Sequence, residues 1–320
     1  VSSGRTMLPT LKQLQYFKSL AKHLSFSKAA EACFITQSTL SASIKQLEGI
    51  LGCELLDRSG RTLVLTEAGE KVLERASLLL RDAEDLVQGA RAQNKPLCGR
   101  FRLGVIPSVA PFLLPRFLPQ LRELYPELQL FLREDLSRNL IIALREGRID
   151  AALMALPYDT TGFESAEIGS DAFYLAVPSA HALAEVHEVR MEDLADEVLL
   201  LLEDGHCLRN HVLAATGGRM LTANEDVQAT SLSTLVQMVD NGIGVTLVPR
   251  IAVDADIDRG TSLKLIKIAD KNARRTIGMV WRRKSSFEGN AKLLCKALER
   301  FMVETQRDVS VPQDVSEKSA

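Results

Sequence analysis

The chain has five cysteines, Cys33, Cys53, Cys98, Cys207 and Cys295, and they are the first place to look for reactive chemistry. They are scattered and form no C-x-x-C pair, so neither a zinc site nor a disulfide framework is expected. Any reactive cysteine has to be argued from its own surroundings. Cys207 stands where a strand ends, a place in which a lone cysteine is ordinarily inert. It lies in Glu203-Asp204-Gly205-His206-Cys207-Leu208-Arg209, where an apolar strand over Val198–Leu202 gives way to a helix expected over Leu208–Ala215. Backbone N–H groups and the positive end of a helix favour thiolate, the nucleophilic form of sulfur, and Arg209 is expected to add charge nearby. The chain has no H-E-x-x-H, no G-x-S-x-G and no P-loop, so no metal ligands and no catalytic residues are assigned. Asn241-Gly242-Ile243-Gly244 looks like part of a dinucleotide fingerprint, but it precedes a strand, whereas a phosphate-binding turn follows one. It reads as a helix C-cap, and no cofactor is expected.

A second constellation lies in the first 66 residues. Leu11, Leu14, Phe17, Leu20 and Ala21 recur at helical spacing. A short helix follows, with Ser27 as its expected N-cap and Ala29, Ala30, Ala32 and Cys33 as small inward residues. A third helix is expected over Gln37–Leu47, with Leu40, Ile44 and Leu47 inward. Two short helices crossing through small residues and joined by a three-residue turn fit a helix-turn-helix. Its outer face carries Gln37, Ser38, Ser41 and Lys45, the types that reach base edges and phosphates in a major groove, and Gln is suited to a bidentate bond to adenine. Leu55–Arg58 and Leu63–Leu65 flank Ser59-Gly60-Arg61 as a hairpin wing, whose Arg58 and Arg61 are suited to phosphate. Cys33 and Cys53 are expected to be small buried residues without a redox role.

Thr66 is the expected cap of a long helix with Val72, Ala76, Leu79, Ala83, Leu86 and Ala90 in steps of four and three, a seam that needs a partner helix. Gln93–Pro96 ends it as a linker. Strands then alternate with helices: Phe101–Ile106, Leu128–Leu132, Ile149–Leu156, Phe173–Val177, Val198–Leu202, Gly244–Val248 and Thr276–Trp281, with helical patterns over Leu113–Leu124, Asn139–Arg145 and Leu232–Val239. This is the texture of α/β lobes. Four parts are expected: a DNA-binding head over residues 7–66, a linker helix over 67–95, an effector region of two lobes over 99–306, and a disordered tail over 307–320.

Composition agrees with this division. The chain has 320 residues, 46% apolar and 25% charged, the profile of a folded protein rather than a disordered one, and long enough for two or three domains. The net charge of −2 hides an asymmetry, because residues 1–66 carry +4 and the remainder −6. A basic head on an acidic body suits nucleic acid at one end. No apolar run approaches membrane-spanning length and residues 1–7 lack the apolar centre of a secretory leader, so no membrane role and a cytoplasmic location are expected.

Several segments resemble the LysR-type transcriptional regulators. They are Phe26-Ser27-Lys28-Ala29-Ala30-Glu31-Ala32, Thr36-Gln37-Ser38-Thr39-Leu40-Ser41, Ile44-Lys45-Gln46-Leu47-Glu48, Leu51-Gly52 and Leu65-Thr66-Glu67-Ala68-Gly69. The family usually has Phe where Leu56 stands and often Pro where Ser38 stands. The resemblance implies a winged helix-turn-helix head, an effector domain of the two-lobed periplasmic-binding-protein kind, dimers through the linker helix assembling into tetramers on double-stranded promoter DNA, and contact with RNA polymerase.

Within that family the effector half is similar to the peroxide-sensing members. Gly104-Val105-Ile106-Pro107-Ser108 with Leu113-Leu114-Pro115, the segment Glu203–Arg209, and Arg274-Arg275-Thr276-Ile277-Gly278 carry this. The resemblance implies hydrogen peroxide sensing by oxidation of Cys207, regulation of oxidative-stress genes, and a pocket of Ser108, Ser137, His206 and Arg275. Those relatives usually place a resolving cysteine nine residues after the first, where this chain has Thr216, and no cysteine occurs between Cys207 and Cys295. Oxidation to a sulfenic acid or a mixed disulfide is the expectation. The alternatives are a regulator answering a small organic ligand in the cleft between lobes, a thiol peroxidase, and a ligand-binding protein of periplasmic type. The head and the absent resolving cysteine count against the peroxidase, and the linker helix against the binding protein.

Overall fold

The computed structural model describes residues 7–58, 62–91, 97–216 and 222–308. The chain divides into two compact units, Val1–Gln93 and Asn94–Ala320.

In the first unit, α1 (Leu11–His23) is opened by a capping box between Thr10 and Gln13. α2 (Phe26–Ala32) and α3 (Gln37–Leu51) follow. Leu14, Phe17, Leu20, Ala29, Ala30, Leu40, Ile44 and Leu47 are buried together, which is why the small residues of α2 sit where the helices cross. Ser25, not Ser27, caps α2: its backbone is extended and its side chain accepts from Lys28 N. Ser27 is one position inside the helix and donates to Gln37 Oε1 at 3.1 Å. α3 runs one turn beyond the expected Leu47 and stops at Gly52, in the left-handed region at φ +69. β1 (Leu56–Asp57) pairs antiparallel with β2 (Val64–Leu65) as the wing. Its tip, residues 59–61 including Arg61, lies outside the described residues.

Thr66 Oγ1 accepts from Gly69 N at 2.9 Å and so opens α4 (Glu67–Arg91) as expected. Ala76 and Leu80 of α4 close the core of the head, whereas Leu79 and Leu86 are 54% and 73% exposed. Leu79 and Leu86 therefore remain available to a partner helix. The side chain of Ala90 and the Gln93–Pro96 linker lie outside the described residues.

The second unit begins with β3 (Gly99–Val105), α5 (Ala110–Leu124), β4 (Leu128–Glu134), α6 (Ser137–Arg145) and β5 (Ala151–Leu156). β3 pairs parallel with both β4 and β5, the product of the βαβ alternation. β6 (Phe163–Val177), β7 (Glu188–Val189), β8 (Val198–Leu202), α7 (Cys207–Ala215), β9 (Thr222–Ala229) and α8 (Leu232–Asp240) come next, with a single 3-10 turn over Met191–Leu194. β10 (Thr246–Pro249), α9 (Arg250–Val253), β11 (Lys264–Ile268), β12 (Arg274–Arg282) and α10 (Glu288–Asp308) complete it.

The two lobes share a strand. The first part of β6, Phe163–Ala172, pairs with β12, which pairs in turn with β5. Its last part, Phe173–Val177, pairs with β10 and β11. β8 and β9 pair parallel beside them, tied to the second lobe by a bridge between Leu199 and Val245. Gly242 follows α8 at φ +77 and leads towards β10, as a C-cap glycine does. α10 includes Arg307 and Asp308, so the expected tail is helical at its start, and residues 309–320 lie outside the described residues.

Candidate functional site

On the head, Ser38 and Lys45 are exposed on the side of α3 away from Leu40, Ile44 and Leu47, Ser41 is half-buried at its flank, and Gln37 is exposed at the helix N-terminus. Thr36 caps the helix through Thr39 N, and its Oγ1 also lies 3.0 Å from Ser38 Oγ. Ser27 donates to the Gln37 amide oxygen and so helps to orient that side chain. Arg58, expected to suit phosphate, has its Nη2 3.0 Å from Glu48 Oε2, and its guanidinium stands over the Phe26 ring at 5.4 Å from the centroid. Glu48 Oε1 also accepts from Leu55 N at 3.0 Å, so one carboxylate ties α3 to the wing. Cys33 and Cys53 are half-buried rather than buried.

In the effector unit, Gly205 reverses the chain after β8 at φ +100, a conformation that costs other residues. His206 follows as the N-cap of α7, and Cys207 is the first residue of that helix, 7% exposed. Burial pushes the Cys207 thiol up. A hydrogen bond with His211, the charge of Arg275, and the Ser137 hydroxyl oppose it, and the net effect holds the thiol below its ordinary range.

Arg275 comes from β12 and is fully enclosed. Its Nε donates to Asp171 Oδ2 at 2.9 Å, its Nη1 to Ser108 Oγ at 2.7 Å and its Nη2 to Ser108 O at 3.0 Å. Asp171 Oδ1 accepts in addition from Ile251 N at 3.0 Å, so the crossing strands β6 and β12 are tied to the start of α9. Ser137, the first residue of α6, is 2% exposed. Its Oγ has no partner within hydrogen-bond geometry, and the sulfur is the group on which it acts.

Ser137 and Arg275 thus act on Cys207, and Ser108 belongs to the site through Arg275. His206 is buried too, but its Nε2 faces Glu203 Oε1 at 3.9 Å, beyond a hydrogen bond. Burial pushes the His206 pKa down, with Glu203 opposing. Arg209 does not reinforce the thiolate as expected, because its Nε pairs with Asp204 at 3.0 Å and its Nη1 points to Leu202 O at 3.4 Å.

Two neighbours were not among the expected pocket residues. His211 stands one turn after Cys207, with Nδ1 2.7 Å from Cys207 O and Nε2 3.2 Å from Leu156 O. The i, i+4 spacing on an expected helix was its signal. Tyr158 lies close enough that a Cys207 thiolate, together with burial, raises its pKa. Cys295 is pushed up to about 12 by burial and by Glu299, which makes it a poor nucleophile.

The family model described as "Bacterial regulatory helix-turn-helix protein, lysR family" matches residues 11–70, and "LysR substrate binding domain" matches residues 94–302. The chain is 37% identical over 294 residues to the HTH-type transcriptional regulator EstR of Acinetobacter baylyi, covering 92% of this chain and 97% of the relative. It is 35% identical over 292 residues to the DNA-binding transcriptional dual regulator OxyR of Escherichia coli, covering 91% and 95%. A solved structure of a cysteine-to-serine mutant of Corynebacterium glutamicum OxyR, bound to hydrogen peroxide, aligns with a TM-score of 0.66 at 33% identity, covering 98% of this chain and 100% of that one. Among the described residues no helix is long and apolar enough to cross a membrane. The head with its exposed α3 face and the two-lobed effector unit are both accounted for by these matches along nearly the whole chain, which belongs to the LysR family of DNA-binding transcriptional regulators.

Proposed function

We propose that this regulator senses hydrogen peroxide through Cys207 and answers by changing its grip on promoter DNA. The observation that carries the reading is the buried Cys207 sulfur, held below the ordinary thiol range by His211, Arg275 and Ser137. A peroxide molecule beside it would meet Ser137 Oγ, a buried hydroxyl with no other partner, which can donate to the departing oxygen. The likeness to OxyR proteins supports the same chemistry. Gln37, Ser38, Ser41 and Lys45 would read base edges and phosphates, with Arg58 at the wing. Dimers would form through the exposed Leu79 and Leu86 of α4, tetramers through the effector units, and the bound assembly would meet RNA polymerase. The protein is then a cytoplasmic regulator rather than an enzyme, with residues 7–66, 67–95 and 99–306 as its head, linker and effector parts.

The experiment is intact mass under non-reducing conditions after a modest excess of peroxide, followed by peptide mapping and DNA footprinting. The expected result is one added oxygen on Cys207 and an altered footprint. Cys207→Ser should bind DNA yet lose the response. A second reading, a small organic ligand in the cleft between lobes, is favoured by Thr216 in place of a resolving cysteine. An unmodified Cys207 would select it.

A further inference from the structure

We infer that His211 is held as an imidazolium paired with Cys207, and that this pair lets the oxidised sulfur persist as a sulfenate without a resolving cysteine. The inference rests on the peroxide reading above and concerns the same site.

The geometry of the ring carries it. A neutral imidazole has one N–H donor and one bare nitrogen that only accepts. Both nitrogens of His211 face carbonyl oxygens, Nδ1 that of Cys207 at 2.7 Å and Nε2 that of Leu156 at 3.2 Å. Carbonyl oxygens cannot donate, so a neutral ring would leave a lone pair against one of them. Both contacts are satisfied only when both nitrogens carry protons. Neither acceptor is free to turn away: Cys207 O belongs to α7, and Leu156 O to β5, whose Leu156 pairs with Thr276 of β12. Burial opposes the charge on the ring, and its contacts with Cys207 more than offset that, so the His211 pKa lies above the ordinary imidazole range.

The other charged and titratable groups around the pair do not supply a competing anion. Arg275 faces it from β12; it is paired with Asp171, and its positive charge still favours the Cys207 thiolate while opposing the proton on His211. Tyr158 faces it from the turn after β5, with Arg138 of α6 acting on Tyr158. His206 looks to Glu203. The thiolate of Cys207 is the anion that completes the pair. Ser137 Oγ, buried and without another hydrogen-bond partner among the described residues, lies against the same sulfur and also favours its charge.

The chemistry balances without a second cysteine. The thiolate pair attacks one oxygen of hydrogen peroxide, the S–O bond forms and the O–O bond breaks. The departing oxygen leaves as water carrying both peroxide protons. Sulfur is oxidised by two electrons, peroxide is reduced, and sulfenate remains with its negative charge facing the same imidazolium, which keeps both its protons throughout. Thr216 occupies the ninth position after Cys207, and Cys295 is held protonated by burial and Glu299.

The test uses the full chain. Alkylation of Cys207 by iodoacetamide is followed across pH by peptide mapping in the native protein, His211→Gln and His211→Lys. Removing the ring's charge with glutamine should raise the midpoint by about one pH unit and slow alkylation about tenfold at neutral pH. Lysine should recover part of both. After peroxide, a dimedone-trappable sulfenate should persist in the native protein and pass on to sulfinic acid in His211→Gln. Nitrogen-15 spectra of the native His211 ring need no variant and should show both nitrogens protonated at neutral pH. A singly protonated ring, or an unchanged midpoint in a folded His211→Gln, overturns the inference. If Cys207 of the native protein alkylates like an ordinary thiol and takes no oxygen, the peroxide reading itself fails. If it takes oxygen equally well without His211, only the pair fails.

Discussion

Replacing Asp171 with asparagine should weaken the effector unit while sharpening its thiol. Asp171 is almost completely buried and accepts from both Ile251 N and Arg275 Nε. Asparagine keeps the shape and one acceptor but leaves the Arg275 guanidinium as an uncompensated buried charge. Removing one partner of a buried ion pair costs about 3–5 kcal/mol. For a unit of this size each kcal/mol lowers the melting temperature by about 2–4 °C, so the expected fall is about 6–20 °C. The same change deletes a negative charge from the vicinity of the sulfur and frees the positive charge of Arg275 to act on it. The Cys207 thiol should then drop further below its ordinary range, and part of the lost stability should return as pH rises and thiolate forms. Thermal unfolding by circular dichroism gives the first quantity and pH-dependent alkylation of Cys207 the second. A variant that melts like the native protein, or whose Cys207 midpoint moves upward, would refute the idea that Asp171 and the sulfur share Arg275.

Lys45→Ala should weaken promoter binding with the effector unit intact and reduce the salt dependence of binding by about one unit of slope, as expected for one lost phosphate contact; an unchanged footprint and slope would contradict its placement. Leu79→Ser combined with Leu86→Ser removes exposed apolar side chains rather than core, so sedimentation should show dissociation without loss of head folding. The two shifted groups set opposite limits on pH stability. Cys207, depressed in the folded state, contributes stability that is present above the ordinary thiol value and lost as pH falls through the folded value. His211, raised in the folded state, contributes stability that is present below the ordinary imidazole value and lost as pH rises through the folded value. Denaturant midpoints measured across pH should lose both slopes in Cys207→Ser; slopes that survive would place the titration elsewhere.

The head was legible because its spacing is local. Leu40, Ile44 and Leu47 define α3, and the small Ala29 and Ala30 mark the helix crossing. The cap of α2 was misplaced by two residues because Ser25 and Ser27 are equivalent by type, and only backbone geometry separates them. β6 was legible only over Phe173–Val177, where both faces are buried. Its first half alternates Glu164, Glu167 and Ser170 with apolar residues and looks irregular until β12 is set beside it. α10 has Ala291, Leu294, Leu298 and Phe301 on one buried face, a pattern present in the sequence but outside the strand-and-helix alternation that organised the reading. At the sulfur, Ser108, Ser137 and Arg275 came from resemblance. His211 shares a helix with Cys207, but its second acceptor is Leu156, 55 positions away, and no local pattern announces that contact. Arg209 illustrates the converse, because proximity in sequence suggested a role that its ion pair with Asp204 removes.

The strand β6 belongs to both lobes, and the sulfur sits where they meet rather than inside either. Cys207 is carried by α7 of one lobe, Ser137 and Ser108 come from the other, and Arg275 stands on a crossing strand. A group lodged at such a seam acts as a wedge near a fulcrum. An atom's width inserted there would be small locally, yet the far rims of the lobes would swing through an arc that grows with their distance from it. Leverage of this kind would let a single added oxygen register at surfaces remote from the chemistry.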